Sequence, residues 1–250
     1  MSALGTALRA LPGLALNALL PPRCLVCGDG VERPGALCGG CWAGLAFLAP
    51  PFCAACGFPF DYDLGPEVLC GACSREPRRY DRARAVLRYD EVSRGLLLGF
   101  KHGDRTEGAP AFGAWLARAG AELTRDCDVI LPVPLHRRRL FARRYNQSAL
   151  LAQALGRASG LPVLPDSLRR SRNTPSQGRL SPAARRRNVA GAFKPAPGAT
   201  ERLGGRRVLL VDDVMTTGAT VEACAAALKR AGAAGVDVLT LARVVRPSQA

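Results

Sequence analysis

Histidine is scarce in this chain. Only His102 and His136 occur in 250 residues, and neither has a neighbour in sequence that would equip it for base catalysis. Each is expected to be a packed or phosphate-facing side chain. Acidic residues are also few, 20 against 35 lysines and arginines. No stretch reaches the roughly 18 to 20 uninterrupted apolar residues of a bilayer span, which excludes a transmembrane helix from the expectation. The start lacks a basic n-region and a small-residue cleavage pattern. Met1 to Leu20 carries one charge, Arg9, and leads through Pro21-Pro22-Arg23 directly into Cys24, which argues against a signal peptide. Its leucines at 4, 8, 11, 14, 16, 19 and 20 suggest an irregular amphipathic helix over 1–20 that packs on the next module rather than a membrane-surface anchor.

What is abundant is positive charge and cysteine. The formal net charge is +15, and eight thiolates on two zinc ions would leave about +11. A balance this basic points to polyanionic partners, phosphorylated small molecules or nucleic acid. The apolar fraction of 48% is enough for a folded core.

Eight of the ten cysteines lie between Cys24 and Cys73 in four CxxC knuckles: Cys24/Cys27, Cys38/Cys41, Cys53/Cys56 and Cys70/Cys73. Two intervening residues let both sulfurs of a knuckle face one ion, and two knuckles complete a tetrahedral site. Gly28 and Gly57 follow the second cysteine of their knuckles, where a tight turn would aim amides at the thiolates. Disulfides compete with zinc, but an α/β domain without an export signal suits a reducing compartment. An iron–sulfur cluster competes as well, and the paired knuckles favour zinc ribbons. Two closed sites of this kind are structural, and which knuckles pair stays open. Trp42 and Phe52 are expected to be small-core residues rather than stacking platforms for bases, and Cys127 and Cys224 buried fillers.

Residues 21–80 are rich in Gly and Pro and need the metal as a staple. Beyond Arg82 the pattern alternates. Strands are expected at Arg84–Tyr89, Asp128–Val133, Val208–Val211 and Val236–Val244. Helices are expected at Gly108–Leu123, with Phe112, Trp115, Leu116 and Ala119 on one face, at Asn146–Ala158 and at Gly218–Ala231. This is the signature of an α/β fold with a parallel sheet covered on both faces. The expected division is a helix over 1–20, a double zinc ribbon over 21–80 and an α/β domain over 81–250.

The segment Val208-Leu-Leu-Val-Asp-Asp-Val-Met-Thr-Thr-Gly-Ala-Thr220 is the most informative. A buried strand ends in two carboxylates, and a small polar loop opens a helix at the edge where open α/β sheets bind ligands. Thr216, Thr217, Gly218, Ala219 and Thr220 offer hydroxyls and approachable amides, an anion cradle. Asp212 and Asp213 would then meet the two hydroxyls of a ribose whose 5-phosphate fills that cradle. A solvated turn with a threonine N-cap is the bland alternative, disfavoured because adjacent carboxylates at a strand end repel. Arg137 and Arg138, after the Leu131-Pro-Val-Pro-Leu135 loop, and Lys101 are candidate cations for a pyrophosphate. Thirteen arginines and a single acid, Asp166, lie between Arg137 and Arg187, too one-sided for an ordinary solvated face.

The 13-residue segment resembles the signature of the type I phosphoribosyltransferases, which bind phosphoribosyl pyrophosphate. That resemblance assigns Asp212 and Asp213 to the ribose hydroxyls and Thr216 to Thr220 to the 5-phosphate, with magnesium and cations on the pyrophosphate. Adding the four knuckles, Phe100-Lys-His-Gly103, Pro132-Val-Pro-Leu135, Tyr145-Asn-Gln-Ser148, Arg172-Asn-Thr-Pro-Ser-Gln177 and Arg187-Asn-Val-Ala-Gly-Ala-Phe193, the chain resembles the ComF family, a double zinc ribbon followed by a phosphoribosyltransferase domain. One departure is Arg143-Arg-Tyr-Asn146, where relatives read Arg-Gly-Phe-Asn. The resemblance implies a cytoplasmic protein, at the inner face of the membrane during DNA uptake in natural transformation, with single-stranded DNA and uptake proteins as partners. Three functions are compatible: a phosphoribosyl transferase of nucleotide salvage, a single-strand binding module, and a sensor that holds phosphoribosyl pyrophosphate without turnover.

Overall fold

The computed structural model describes residues 21–63, 65–102, 105–174 and 181–245, so the helix expected over 1–20 lies outside the described residues. In chain order, two short helices α1 (Gly39–Ala43) and α2 (Gly71–Arg75) belong to the cysteine-rich segment. Then follow β1 (Ala83–Arg88), α3 (Glu91–His102), α4 (Ala109–Ala119), α5 (Ala121–Asp126), β2 (Val129–Pro132), α6 (Arg137–Arg143) and α7 (Gln147–Ser159). The remainder is β3 (Leu168–Arg170), α8 (Pro182–Val189), β4 (Phe193–Pro195), α9 (Ala199–Leu203), β5 (Arg207–Met215), α10 (Ala219–Arg230) and β6 (Gly235–Arg243).

The sheet runs β1-β6-β5-β2 with every pair parallel. A single bridge from Ile130 to Val163 continues it past β2. Parallel strands covered on both faces should bury every residue, and β6 does so along its whole length. Val208 and Leu210 of β5 pack on one side with α10, while Leu209 and Val211 pack on the other with α4 and α7. β3 and β4 form a separate antiparallel pair beside the sheet.

Three expectations are corrected. The strand expected to stop at Val211 runs on to Met215, so both aspartates sit within β5, Asp212 beside Thr240 of β6. The helix expected over 108–123 breaks at Gly120, which caps α4 and starts α5. Helix α3, which the sequence pattern did not reveal, contains Gly95 and Gly99, yet it buries Leu96, Leu97 and Phe100 completely. Tertiary burial outweighs the helix-weakening glycines there.

The cysteine-rich segment is not packed on one face. Leu25 and Leu45 join the cluster of α3, α4 and α7, whereas Cys53, Cys56, Phe58, Cys70 and Cys73 join the cluster of α10. Between them, residues 46–48 run antiparallel along β1, with Leu48 N donating to Val86 O and Arg88 N to Ala46 O. The edge strand is thereby covered. At the opposite end of the strands, Asp237 is fully buried and receives guanidinium hydrogen bonds from Arg82 and Arg207 at 2.7 and 2.9 Å. Burial pushes its carboxyl up, but these two arginines outweigh that and hold it below the ordinary carboxylate value.

Candidate functional site

The C-terminal ends of β5 and β2 gather four motifs that are far apart in sequence. Asn146 caps α7 through its side chain, which accepts from Ser148 N, and its amide donates to Val133 O at 3.1 Å. Tyr145 Oη donates to Phe100 O at 2.8 Å, and Gln147 Nε2 donates to Lys101 O at 3.1 Å. Those two bonds fix the end of α3 against the start of α7. Ser148 Oγ then donates to Asp212 Oδ1 at 2.8 Å, and Lys101 Nζ lies 2.8 Å from Asp213 Oδ2. Phe100-Lys, Val133, Tyr145 to Ser148 and Asp212-Asp213 therefore form one hydrogen-bonded unit.

Asp212 is the most perturbed carboxyl in it, pushed up to about 7. Removal from water is the main cause and the adjacent Asp213 adds to it. The Ser148 hydroxyl, the Asp213 amide and Lys101 pull the other way without winning. Two adjacent carboxylates that are partly desolvated and only partly neutralised mark a place where a further donor or cation would be welcome.

Beyond Met215 the chain turns into α10 through Thr216, Thr217 and Gly218. Gly218 has φ +82 and is the N-cap residue, a left-handed conformation that glycine adopts without strain. Thr217 Oγ1 accepts from Ala219 N at 3.4 Å. Arg185, buried on α8, donates to Thr216 Oγ1 at 2.8 Å. This arginine was not singled out in sequence, because nothing local distinguishes it among thirteen. Arg137 and Arg138 lie in the first turn of α6, which is capped by His136 accepting from Arg138 N at 3.3 Å. Among the described residues no hydrogen bond or ion pair joins them to the aspartates. Lys101, expected to meet a pyrophosphate, is paired with Asp213.

The cysteine sites resolve the open pairing. The knuckles pair in chain order, Cys24/Cys27 with Cys38/Cys41 and Cys53/Cys56 with Cys70/Cys73, and the four sulfurs of each set lie within 4.8 Å of one another. Cys27 and Cys38 sulfurs are 3.6 Å apart, Cys56 and Cys70 sulfurs 3.7 Å. A tetrahedron with zinc–sulfur bonds of ~2.3 Å has edges of about 3.8 Å, so the spacing fits zinc. Amides of Cys38, Cys56 and Cys70 point at sulfurs, as thiolates require. Gly28 and Gly57 have φ +83 and +67, the expected turns. Two structural zinc sites are thus supplied by the chain's own residues.

The second zinc site touches α10. Arg78 donates from Nε to Cys73 Sγ at 3.3 Å and from Nη1 to Glu222 Oε1 of α10 at 3.1 Å. Arg243, at the end of β6, bonds the carbonyl of Cys56. Trp42, by contrast, is half exposed and packs against Phe47 in a tilted contact and Trp115 in an edge-on contact, with ring centroids 5.1 and 5.6 Å apart, while Phe52 lies under the Arg84 guanidinium. Cys127 and Cys224 are buried as expected. Among the described residues no helix is long and apolar enough to cross a membrane.

Residues 15–74 match the double zinc ribbon domain family, and residues 147–249 match the phosphoribosyl transferase domain family. The chain is 32% identical over 227 residues to Competence protein F of Haemophilus influenzae, covering 88% of this chain and 96% of that protein. It is 35% identical over 199 residues to DNA utilization protein YhgH of Escherichia coli K12, covering 77% of this chain and 84% of that protein. Competence protein ComFC of Bacillus subtilis is 27% identical over 216 residues, covering 83% and 84%.

Proposed function

The chain belongs to the ComF family of double zinc ribbon and phosphoribosyltransferase-domain proteins, and from that premise we propose that it binds phosphoribosyl pyrophosphate with magnesium and acts on single-stranded DNA during uptake. The observation that carries the first part is the convergence of Asp212 and Asp213 with the Thr216–Thr220 turn at one sheet edge, on a scaffold closed by Ser148 and Lys101.

In this account the 5-phosphate sits in the turn, against the amides that open α10 and the threonine hydroxyls. Arg185, already on Thr216, adds a cation to that group. The ribose diol donates to the two aspartates, for which Asp212 must be ionised. Lys101 gives up part of its bond to Asp213 and turns to the pyrophosphate, with Arg137 and Arg138 on the α6 side. Magnesium, when present, neutralises pyrophosphate oxygens and orients them. Thr217, Gly218 and Ala219 provide shape and amides rather than charge, so they exclude side chains that would block the phosphate.

The DNA part is supported by the relatives' names and by charge. Phe141 is 86% exposed in the middle of α6, with Arg137, Arg138 and Arg143 on the same short helix. An exposed ring amid arginines suits a base stacked over a neutralised backbone.

Calorimetry with phosphoribosyl pyrophosphate and magnesium tests this. Asp212→Asn together with Asp213→Asn is expected to abolish measurable binding. Unchanged binding in that variant would refute the assignment. In parallel, Phe141→Ala is expected to weaken a single-stranded oligonucleotide by about 1 to 3 kcal/mol, and an unaltered affinity would remove α6 from the DNA surface.

A further inference from the structure

A cleft of about 410 Å³ lies between α10 and the α8–β4 segment. Its rim carries Arg79, Arg186, Arg187 and Arg230, all exposed. None of these four has a carboxylate partner among the described residues. One acid lines the cleft, Glu222, and it is already paired with Arg78 at 3.1 Å. The floor is apolar, made by Val189, Phe193, Ala223 and Ala226. Val189 and Phe193 are both nearly inaccessible, so the floor is firm.

Four unneutralised guanidiniums around an apolar-floored depression ask for an anion with a flat, uncharged part. The lining positions 219, 223, 226 and 230 recur at helical spacing on one face of α10. That face is ~16 Å long at 1.5 Å per residue, with Arg79 near its first turn, next to Arg78, and Arg230 in its last. Cations at both ends of an apolar strip offer a phosphate site at either end beside a surface for a flat base. A lone inorganic anion would not use the floor.

We propose that this cleft, which borders the phosphate-binding turn at Ala219, is a second ligand site that takes a nucleoside phosphate unit, free or within a single strand, with the base on the floor and phosphates on the arginines. The strand form rests on the proposed DNA reading; the free nucleotide form does not.

The test compares wild type with Arg79→Glu/Arg230→Glu and with Ala223→Phe, which fills the floor while leaving the charges. Folding is checked by circular dichroism, and the probes are fluorescein-labelled octathymidylate by anisotropy over a salt series, thymidine 5′-monophosphate by calorimetry, and phosphoribosyl pyrophosphate with magnesium. The charge reversals are expected to weaken the oligonucleotide at least about tenfold and to lower the salt slope by about 1.4 for two lost phosphates. Ala223→Phe is expected to weaken the mononucleotide, and phosphoribosyl pyrophosphate affinity should be unaltered in both variants. If the mononucleotide binds as tightly as the oligonucleotide, the free nucleotide is the ligand and the cleft assignment stands. Unchanged binding of both nucleic-acid probes in folded variants would overturn it. So would loss of the oligonucleotide in Asp212→Asn/Asp213→Asn alone, since the strand would then occupy the phosphate loop. Failure of wild type to bind phosphoribosyl pyrophosphate would sink only the proposed function and leave the cleft result standing.

Discussion

Asp212 is held out of water beside a second carboxylate, and this has a thermodynamic consequence. Its value of about 7 in the folded protein lies above the ordinary unfolded value. The folded state therefore binds a proton that the unfolded state releases, so its contribution to stability falls as pH rises from about 4 towards about 7 and is constant above. Asp212→Asn removes that penalty. Melted without ligand, the variant should exceed wild type by a margin that widens between about pH 5 and about pH 7 and then levels off; a margin independent of pH would mean that Asp212 is not desolvated. The carboxylates and the threonine turn were legible because they adjoin in sequence. Ser148 and Arg185 were not, since their partners stand 64 and 31 residues away. Arg144 was legible as an oddity, and it has a φ of +65, the one left-handed non-glycine among the described residues, a conformation that glycine adopts without strain.

At the scale of elements, the second zinc site and α10 share Arg78. Arg78→Ala would strip Glu222 of its cation and Cys73 of a donor while leaving all eight zinc ligands in place. The expected result is two bound zinc ions with a loss of about 1 to 3 kcal/mol in stability, read by metal analysis and chemical denaturation. Loss of one zinc would instead make Arg78 essential to the metal site itself. Asp237 supports the opposite end of the sheet, and Asp237→Asn should cost roughly 3 to 5 kcal/mol by leaving Arg82 and Arg207 without their shared buried partner; a denaturation midpoint equal to wild type would contradict that. Strands β2, β5 and β6 were legible as apolar runs. Helix α3 was hidden by its two glycines, and β3 and β4 were too short, at three residues each, to produce a period.

For the molecule as a whole, the zinc ribbons act as packing elements of both faces rather than as an appended module. The first set contributes Leu25 and Leu45 to one core, and the second contributes its cysteines to the other, near the turn formed by Thr216, Thr217 and Gly218. Chain-order pairing of knuckles makes each half a compact clip, a choice that spacing alone could not make because every knuckle is identical in length. The second cysteine site, β5 and α10 thus share one core, with the basic surfaces of α6 and the α8–α10 cleft outside it. The central claim is that Asp212 and Asp213 recognise a ribose diol next to a bound 5-phosphate. Competition calorimetry with ribose 5-phosphate and 2-deoxyribose 5-phosphate tests it most directly. The account predicts that the deoxy sugar binds at least about tenfold more weakly, because a carboxylate is left without its donor, and that Asp212→Asn/Asp213→Asn abolishes measurable binding of ribose 5-phosphate as well. Equal affinities for the two sugars in the wild-type protein would contradict it.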